Sequence, residues 1–263
     1  MSKTAAPALK TQAEKPPADP ARSLGLLWGS HRRPGRSGLT IRAIVDAALQ
    51  VADTEGLDAL SMRRVADAVK VGTMTLYSYV PGKDDLTDLM ADTVMGTVYA
   101  DVDEPRRQGD WRAALRFVAE KNWALHLAHP WLCQLNRPRP VLGPHFILKY
   151  EAELRPIDGI GLRDVEMDAL LSAVLTHVGG AARVYHGLRA EAQASAQTDQ
   201  EWWLTQAPTL DRLLDVRRFP TAARVGQSVG DEVQAAADPE HTLRFGLERL
   251  LDGVEALLAG RTG

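Results

Sequence analysis

The chain has 263 residues of which 45% are apolar, enough to bury a sizeable core in one large unit or two smaller ones. Its 31 Lys and Arg against 34 Asp and Glu give a formal net charge of -3, a sum that alone argues against a nucleic-acid partner. A single cysteine, Cys133, excludes an internal disulfide and a cysteine-based zinc site, and with neither a membrane-length apolar run nor a signal-peptide segment the sequence predicts a cytoplasmic protein. Charge is unevenly spread. Lys and Arg stand against Asp and Glu as 4 to 2 in residues 1–29, 8 to 5 in 30–83 and 19 to 27 in 84–263, so only the first third has an electrostatic reason to approach phosphate. Strand signals are scarce and Ala, Leu, Arg, Asp and Glu recur at helical spacing, which predicts an all-α fold.

Residues 1–27, with Pro7, Pro16, Pro17 and Pro20 among Ala and Lys, show no period and are expected to be disordered. The run His31-Arg32-Arg33-Pro34-Gly35-Arg36-Ser37-Gly38 reads either as a solvated linker or as a basic arm that follows a DNA backbone or enters a minor groove. Together, residues 1–39 form the predicted arm. Thr40 can cap a helix on which Ile41, Ile44, Val45, Ala48, Leu49 and Ala52 share a face, ended by Gly56. Ser61 caps a short second helix, residues 62–69, with Val65, Ala66 and Val69 inward and Arg63 and Arg64 outward. After the turn Lys70-Val71-Gly72, residues 73–79 form a third helix stopped by Pro81-Gly82, and Lys83 starts a fourth along which Leu86, Leu89, Met90, Val94 and Val98 mark one face. Two short helices joined by a tight turn on a longer one are the helix-turn-helix pattern, placed at residues 40–86. Residues 87–263 form a larger helical unit, in which 162–189 and 241–259 have the apolar period of long core helices.

Taken together, Ala43-Ile44-Val45, Ala47-Ala48-Leu49, Gly56, Leu60-Ser61-Met62-Arg63-Arg64-Val65-Ala66, Val71-Gly72, Thr75-Leu76-Tyr77 and Val80-Pro81-Gly82-Lys83-Asp84-Asp85-Leu86 resemble the DNA-binding domain of the TetR family. Asp110-Trp111 with Leu115, Ser172-Ala173-Val174 with His177, and Phe245-Gly246-Leu247-Glu248 resemble the C-terminal region of the tetracycline-repressor branch. The resemblance implies ten helices, with a small DNA-binding head and a larger core in which two long helices of each subunit pair as a four-helix bundle. It implies a regulator, a repressor by expectation, that binds a palindromic operator as a homodimer and is released by a small-molecule effector. The alternative is a helix-turn-helix protein without effector response. An enzyme is not expected: there is no glycine-rich phosphate loop, nucleophile elbow or paired metal-ligand motif.

A recognition helix presents small or polar residues to base edges and leaves phosphates to flanking donors. The family motif places Thr73, Met74 and Thr75 against bases, with Met74 open to the alternative of a core position. It places Tyr77, Tyr79 and Lys83 on phosphates, Tyr77 with part of its ring against the first helix. Arg63 is the candidate for bidentate guanine contact, whereas Arg64 reads as a solvated charge or an intramolecular ion pair. Leu76 is core.

For the effector, polar and aromatic residues on otherwise apolar helices are the candidates, among them Tyr99, Asn122, His126, Asn136 and His177. The resemblance places Tyr99, Val118, Asn122 and Asn136 at drug-contacting positions of the branch. None of these is histidine, so the metal-coordinating histidine has no counterpart, which argues against magnesium-tetracycline and leaves an apolar or aromatic ligand as the expectation. His126, His129 and His145 have no compact metal-ligand spacing with carboxylates; no metal and no cofactor is assigned.

Overall fold

A computed structural model describes residues 20–29, 38–135, 139–235 and 237–262. Among them eleven α-helices and three short 3-10 turns account for the regular structure, and no strand occurs.

The head is assembled from caps and buried faces. Thr40 accepts a side-chain bond from the Ala43 amide at 3.0 Å and opens α2 (Ile41–Glu55), which buries Ile44, Val45, Ala48, Val51 and Ala52. Gly56 at φ 85° ends it, a backbone angle that disfavours any residue with a Cβ. Ser61 likewise caps α3 (Met62–Ala68) through the Arg64 amide at 3.1 Å. The Lys70 turn leads into α4 (Thr73–Tyr79), held by the fully buried Leu76. Next comes α5 (Lys83–Met95), which packs against α2 with Leu86, Leu89, Met90 and Val94 inside.

One expectation is overturned here. The stretch taken as disordered up to residue 27 contains a helix, α1 (Pro20–Gly29). Its Leu27 is buried in the same core as α2 to α5, the Ser23 hydroxyl donates to Asp85 at 2.8 Å, and the Trp28 indole donates to the Leu142 carbonyl at 3.0 Å. Tertiary contacts, not an apolar period, order this segment. Residues 1–19 and the basic run 31–37 lie outside the described residues.

The larger unit is built round α6 (Trp111–Ala128), capped by the Asp110 side chain on the Ala113 amide at 2.8 Å. Around it lie α7 (Pro144–Leu154), α8 (Asp164–Ser195) and α11 (Pro239–Thr262). Leu115 and Ala119 of α6 meet Leu170, Val174 and Val178 of α8 and Leu243, Leu247 and Leu251 of α11. The two long periodic segments of the sequence are thus helices, longer at both ends for 241–259 and at the C-terminal end for 162–189. Their outer face, with Ala169, Ser172, Ala173, Thr176, Gly246 and Leu250, stays open. Two further helices, α9 (Asp199–Leu213) and α10 (Pro220–Val233), bury no residue at all. They touch each other through Gln200 and Gln234 at 2.7 Å and through Trp203 on Gly230. Trp202, Leu204, Leu210, Leu213, Val216 and Phe219 remain exposed on and between them.

Head and larger unit are bolted at two carboxylates. Asp53 of α2 accepts on one oxygen from Trp131 Nε1 at 2.7 Å and His129 Nδ1 at 2.8 Å, both just beyond α6. Asp92 of α5 accepts the Phe146 amide at 2.9 Å in the first turn of α7, with His145 Nδ1 on its other oxygen at 2.9 Å. The chain passes so close here that a Cβ at Gly143 would overlap the Asp92 carboxylate.

Candidate nucleic-acid interface and ligand site

α4 is short because Pro81-Gly82 follows it, and it is anchored by one residue, Leu76. Everything around that anchor points outward: Met74 is 81% exposed, Thr75 and Ser78 are exposed, and Tyr77 is 41% exposed. Met74 is therefore a surface residue. Thr73 is half-buried at the helix start, and Tyr79 is half-buried with its ring packed on the head core, which leaves it less free for a phosphate than Tyr77. On α3, Arg63 is exposed, whereas Arg64 is tied to Glu55 at 2.6 Å, the ion-pair alternative foreseen for it. Lys83 is exposed at the first residue of α5 and spends one of its three donors on the Leu57 carbonyl at 3.1 Å. That bond ties the ammonium to the turn that follows α2. An exposed short helix with hydroxyls, a thioether and a phenol, flanked by a guanidinium that pairs with no carboxylate among the described residues and by an anchored ammonium, has the chemistry of a groove reader.

In the larger unit Tyr99, Val118 and Asn122 come together, but not in the apolar setting expected. Asn122 and Val118 are buried, and the Asn122 amide donates to the Val118 carbonyl at 2.8 Å and to Glu153 at 2.7 Å. The Tyr99 hydroxyl donates to the same Glu153 oxygen at 2.8 Å, and Lys149 reaches it at 2.6 Å. Glu153 is 1% exposed and Lys149 8%. Burial, then the Glu153 charge, pushes the Tyr99 phenol far above its usual range. Sequence reasoning missed Lys149 and Glu153. Four residues apart on a helix, they read as a solvated surface pair, and only the packing of α7 against α5 and α8 buries them.

His126 lies one turn further along α6, with Cys133 Sγ 3.6 Å from its Nδ1 and its carbonyl bonded to His186 at 2.8 Å. Burial, with the nearby Lys149 charge, lowers its pKa to about 4, so the ring is neutral. His177 is not part of this group: its Nε2 sits 3.1 Å from the Leu243 carbonyl, and its ring lies against Gly246 at the contact of α8 with α11. The reason is phase, since residue 177 lies between the inward positions 174 and 178 and faces α11. Asn136 lies outside the described residues. A concavity of about 450 Å³ opens elsewhere, between α6 and α11 over Ala119, Trp123, Leu243 and Leu247, rimmed by Arg116 on Glu248. That volume is within the range of small-molecule sites.

Residues 44–90 match the family described as bacterial regulatory proteins, tetR family, and residues 104–258 match the tetracyclin repressor-like C-terminal domain. The HTH-type transcriptional repressor DrrR1 of Streptomyces coeruleorubidus is 42% identical over 250 residues, covering 93% of this chain and 89% of that protein. Among solved structures, the TetR family protein ActR of Streptomyces coelicolor in complex with actinorhodin superposes with a TM-score of 0.69 at 28% identity over 83% of this chain and 96% of its own. The complex of ActR with (S)-DNPA gives 0.65 at 27% identity, over 83% and 98%. With both parts of the chain matched in order and a relative similar along nearly its whole length, the protein belongs to the TetR family of DNA-binding transcriptional regulators.

Proposed function

We propose that the protein is a repressor that binds a palindromic operator as a homodimer and lets go of it when a small molecule binds. The observation that carries this is the outward set of α4: Met74, Thr75 and Tyr77 stand clear of Leu76, with Arg63 and Lys83 on either side. In this reading Thr73, Met74 and Thr75 meet base edges, Arg63 meets a guanine, and Tyr77, Lys83 and, with less free surface, Tyr79 hold phosphates. Two such heads on one two-fold axis need half-sites in successive major grooves. The test is a gel shift with DNA flanking the protein's own gene. Retention of one duplex over random competitor at physiological salt is expected, and equal binding of both would overturn the assignment.

The effector is proposed to be a small, largely apolar or aromatic molecule that meets Tyr99, Val118, Asn122 and His126. Likeness to ActR, which is seen with actinorhodin and with (S)-DNPA, supports a ligand-responsive core. α5 runs from the phosphate contact at Lys83 toward Tyr99, so movement at one end is felt at the other. A second reading has its own support: Tyr99 and Asn122 already find partners in Glu153, which suits a regulator whose core is closed and unresponsive. Titration of actinorhodin and other aromatic ligands with and without operator separates the two, because release requires operator and ligand to weaken each other by the same factor.

A further inference from the structure

The first helix, α1, lies before both segments that match the family, which begin at residues 44 and 104. Its contacts are placed at two ends. Ser23 bonds Asp85 in the first turn of α5, beside Lys83 and α4. Trp28 bonds the Leu142 carbonyl, one residue before Gly143, where the chain presses on Asp92 and enters α7. Leu27 between them is buried in the head core. From Ser23 to Trp28 an α-helix rises about 7.5 Å and from Asp85 to Asp92 about 10.5 Å, and the Trp28 side chain, which reaches the Leu142 carbonyl, extends the shorter helix. α1 therefore runs parallel to α5, fastened at the head end to α5 and at the other end to the segment leading into α7.

α7 also carries Lys149 and Glu153, which hold Tyr99 and Asn122. A displacement of α7 caused at that cluster is transmitted to Leu142 as well as to Asp92. We infer that α1 is a strap that ties the start of α7 to the head end of α5 and thereby biases the protein toward the arrangement seen here. Its bonds exist only while Asp85 and Leu142 keep their separation. They stabilise this arrangement and are lost in any state in which α5 has tilted against α7, so by linkage they favour whichever ligand prefers this state. The inference rests on the reading that the unliganded protein holds the operator and that α5 moves on release.

The experiment uses the full chain with Ser23→Ala and Trp28→Phe combined, a pair that removes both donors and keeps an aromatic ring at 28. Amide hydrogen exchange is followed in peptides covering residues 83–95, and binding to DNA from upstream of the gene is measured by anisotropy. Exchange in 83–95 several-fold faster than in the parent, with operator bound about threefold to tenfold more weakly, is expected. Unchanged exchange there, in a variant whose α1 amides have become unprotected, would overturn the strap. So would faster exchange with unchanged operator affinity. If the parent protein does not select the upstream DNA at all, the repressor reading fails, and the exchange comparison still decides whether α1 restrains α5.

Discussion

Glu153 gathers three donors on one oxygen inside the protein, and that is where single residues matter most. A buried charge with its partners removed costs far more than the pair contributes, because the stranded groups keep their desolvation penalty. Glu153→Leu strands the Lys149 ammonium, the Tyr99 hydroxyl and the Asn122 amide together and is expected to cost about 3 to 5 kcal/mol, read from urea unfolding. A loss under about 1 kcal/mol would mean that water reaches the cluster. His126 adds a pH dependence. The unfolded chain binds a proton near 6.5, the folded ring only at about 4, so stability is full above the first value and falls as pH drops toward the second. In thermal melts at pH 7 and pH 5, His126→Gln is expected to shrink the difference shown by the parent. In the proposed reading Arg63 and Lys83 divide the work of holding DNA. Arg63→Ala should relax choice at one base at a cost of about 1 to 3 kcal/mol, whereas Lys83→Ala should weaken all sequences alike and lower the salt slope by about one unit. Exchange of these two patterns in competition assays would show that α3 and α4 lie differently in the groove.

At the scale of helices, legibility in the sequence followed how local the cause is. α2 and α3 could be read because Thr40 and Ser61 cap them and Gly56 ends α2, all within a few residues. α4 could be read because the Lys70-Val71-Gly72 turn and Pro81-Gly82 bound it within a few residues. α1 could not, since among its described side chains Leu27 alone is buried and makes no period, and its bonds to Asp85 and Leu142 span 62 and 114 residues. The candidate ligand site divided the same way. Tyr99, Val118 and Asn122 are named by resemblance, but Glu153, the partner of Tyr99 and Asn122, comes from α7, and nothing near Tyr99 in the sequence announces it. His177 stands apart from that cluster for a related reason: a polar residue on an apolar helix reads the same whether it faces a site or the neighbouring helix. Asp53 and Asp92 show how far such choices reach, each fastening the head through atoms more than 50 residues away.

For the molecule as a whole, the open face of α8 and α11 is the surface the proposed dimer would use. Small side chains at Ala169, Ser172, Ala173 and Gly246 let two copies approach closely about a two-fold axis. Thr176→Arg puts a long charge on that face without touching the core. It is expected to yield a folded monomer by light scattering, with a melting temperature measured alongside; a dimer of unchanged mass would place the interface elsewhere. The net acidic balance of residues 84–263 suits the same assembly, since it disfavours phosphate over the larger unit as a whole.

The hairpin of α9 and α10 has a thermodynamic consequence. Helices that bury no side chain fully draw little on a shared core, so they are expected to open at a lower free energy than α6, α8 and α11. A calorimetric scan would then carry two components, an early one of low enthalpy from residues 199–233 and the main one from the rest, and the single-transition approximation would misjudge the stability of both. Raising the protein concentration would separate them further or merge them, according to whether the second subunit leaves the hairpin bare or covers it.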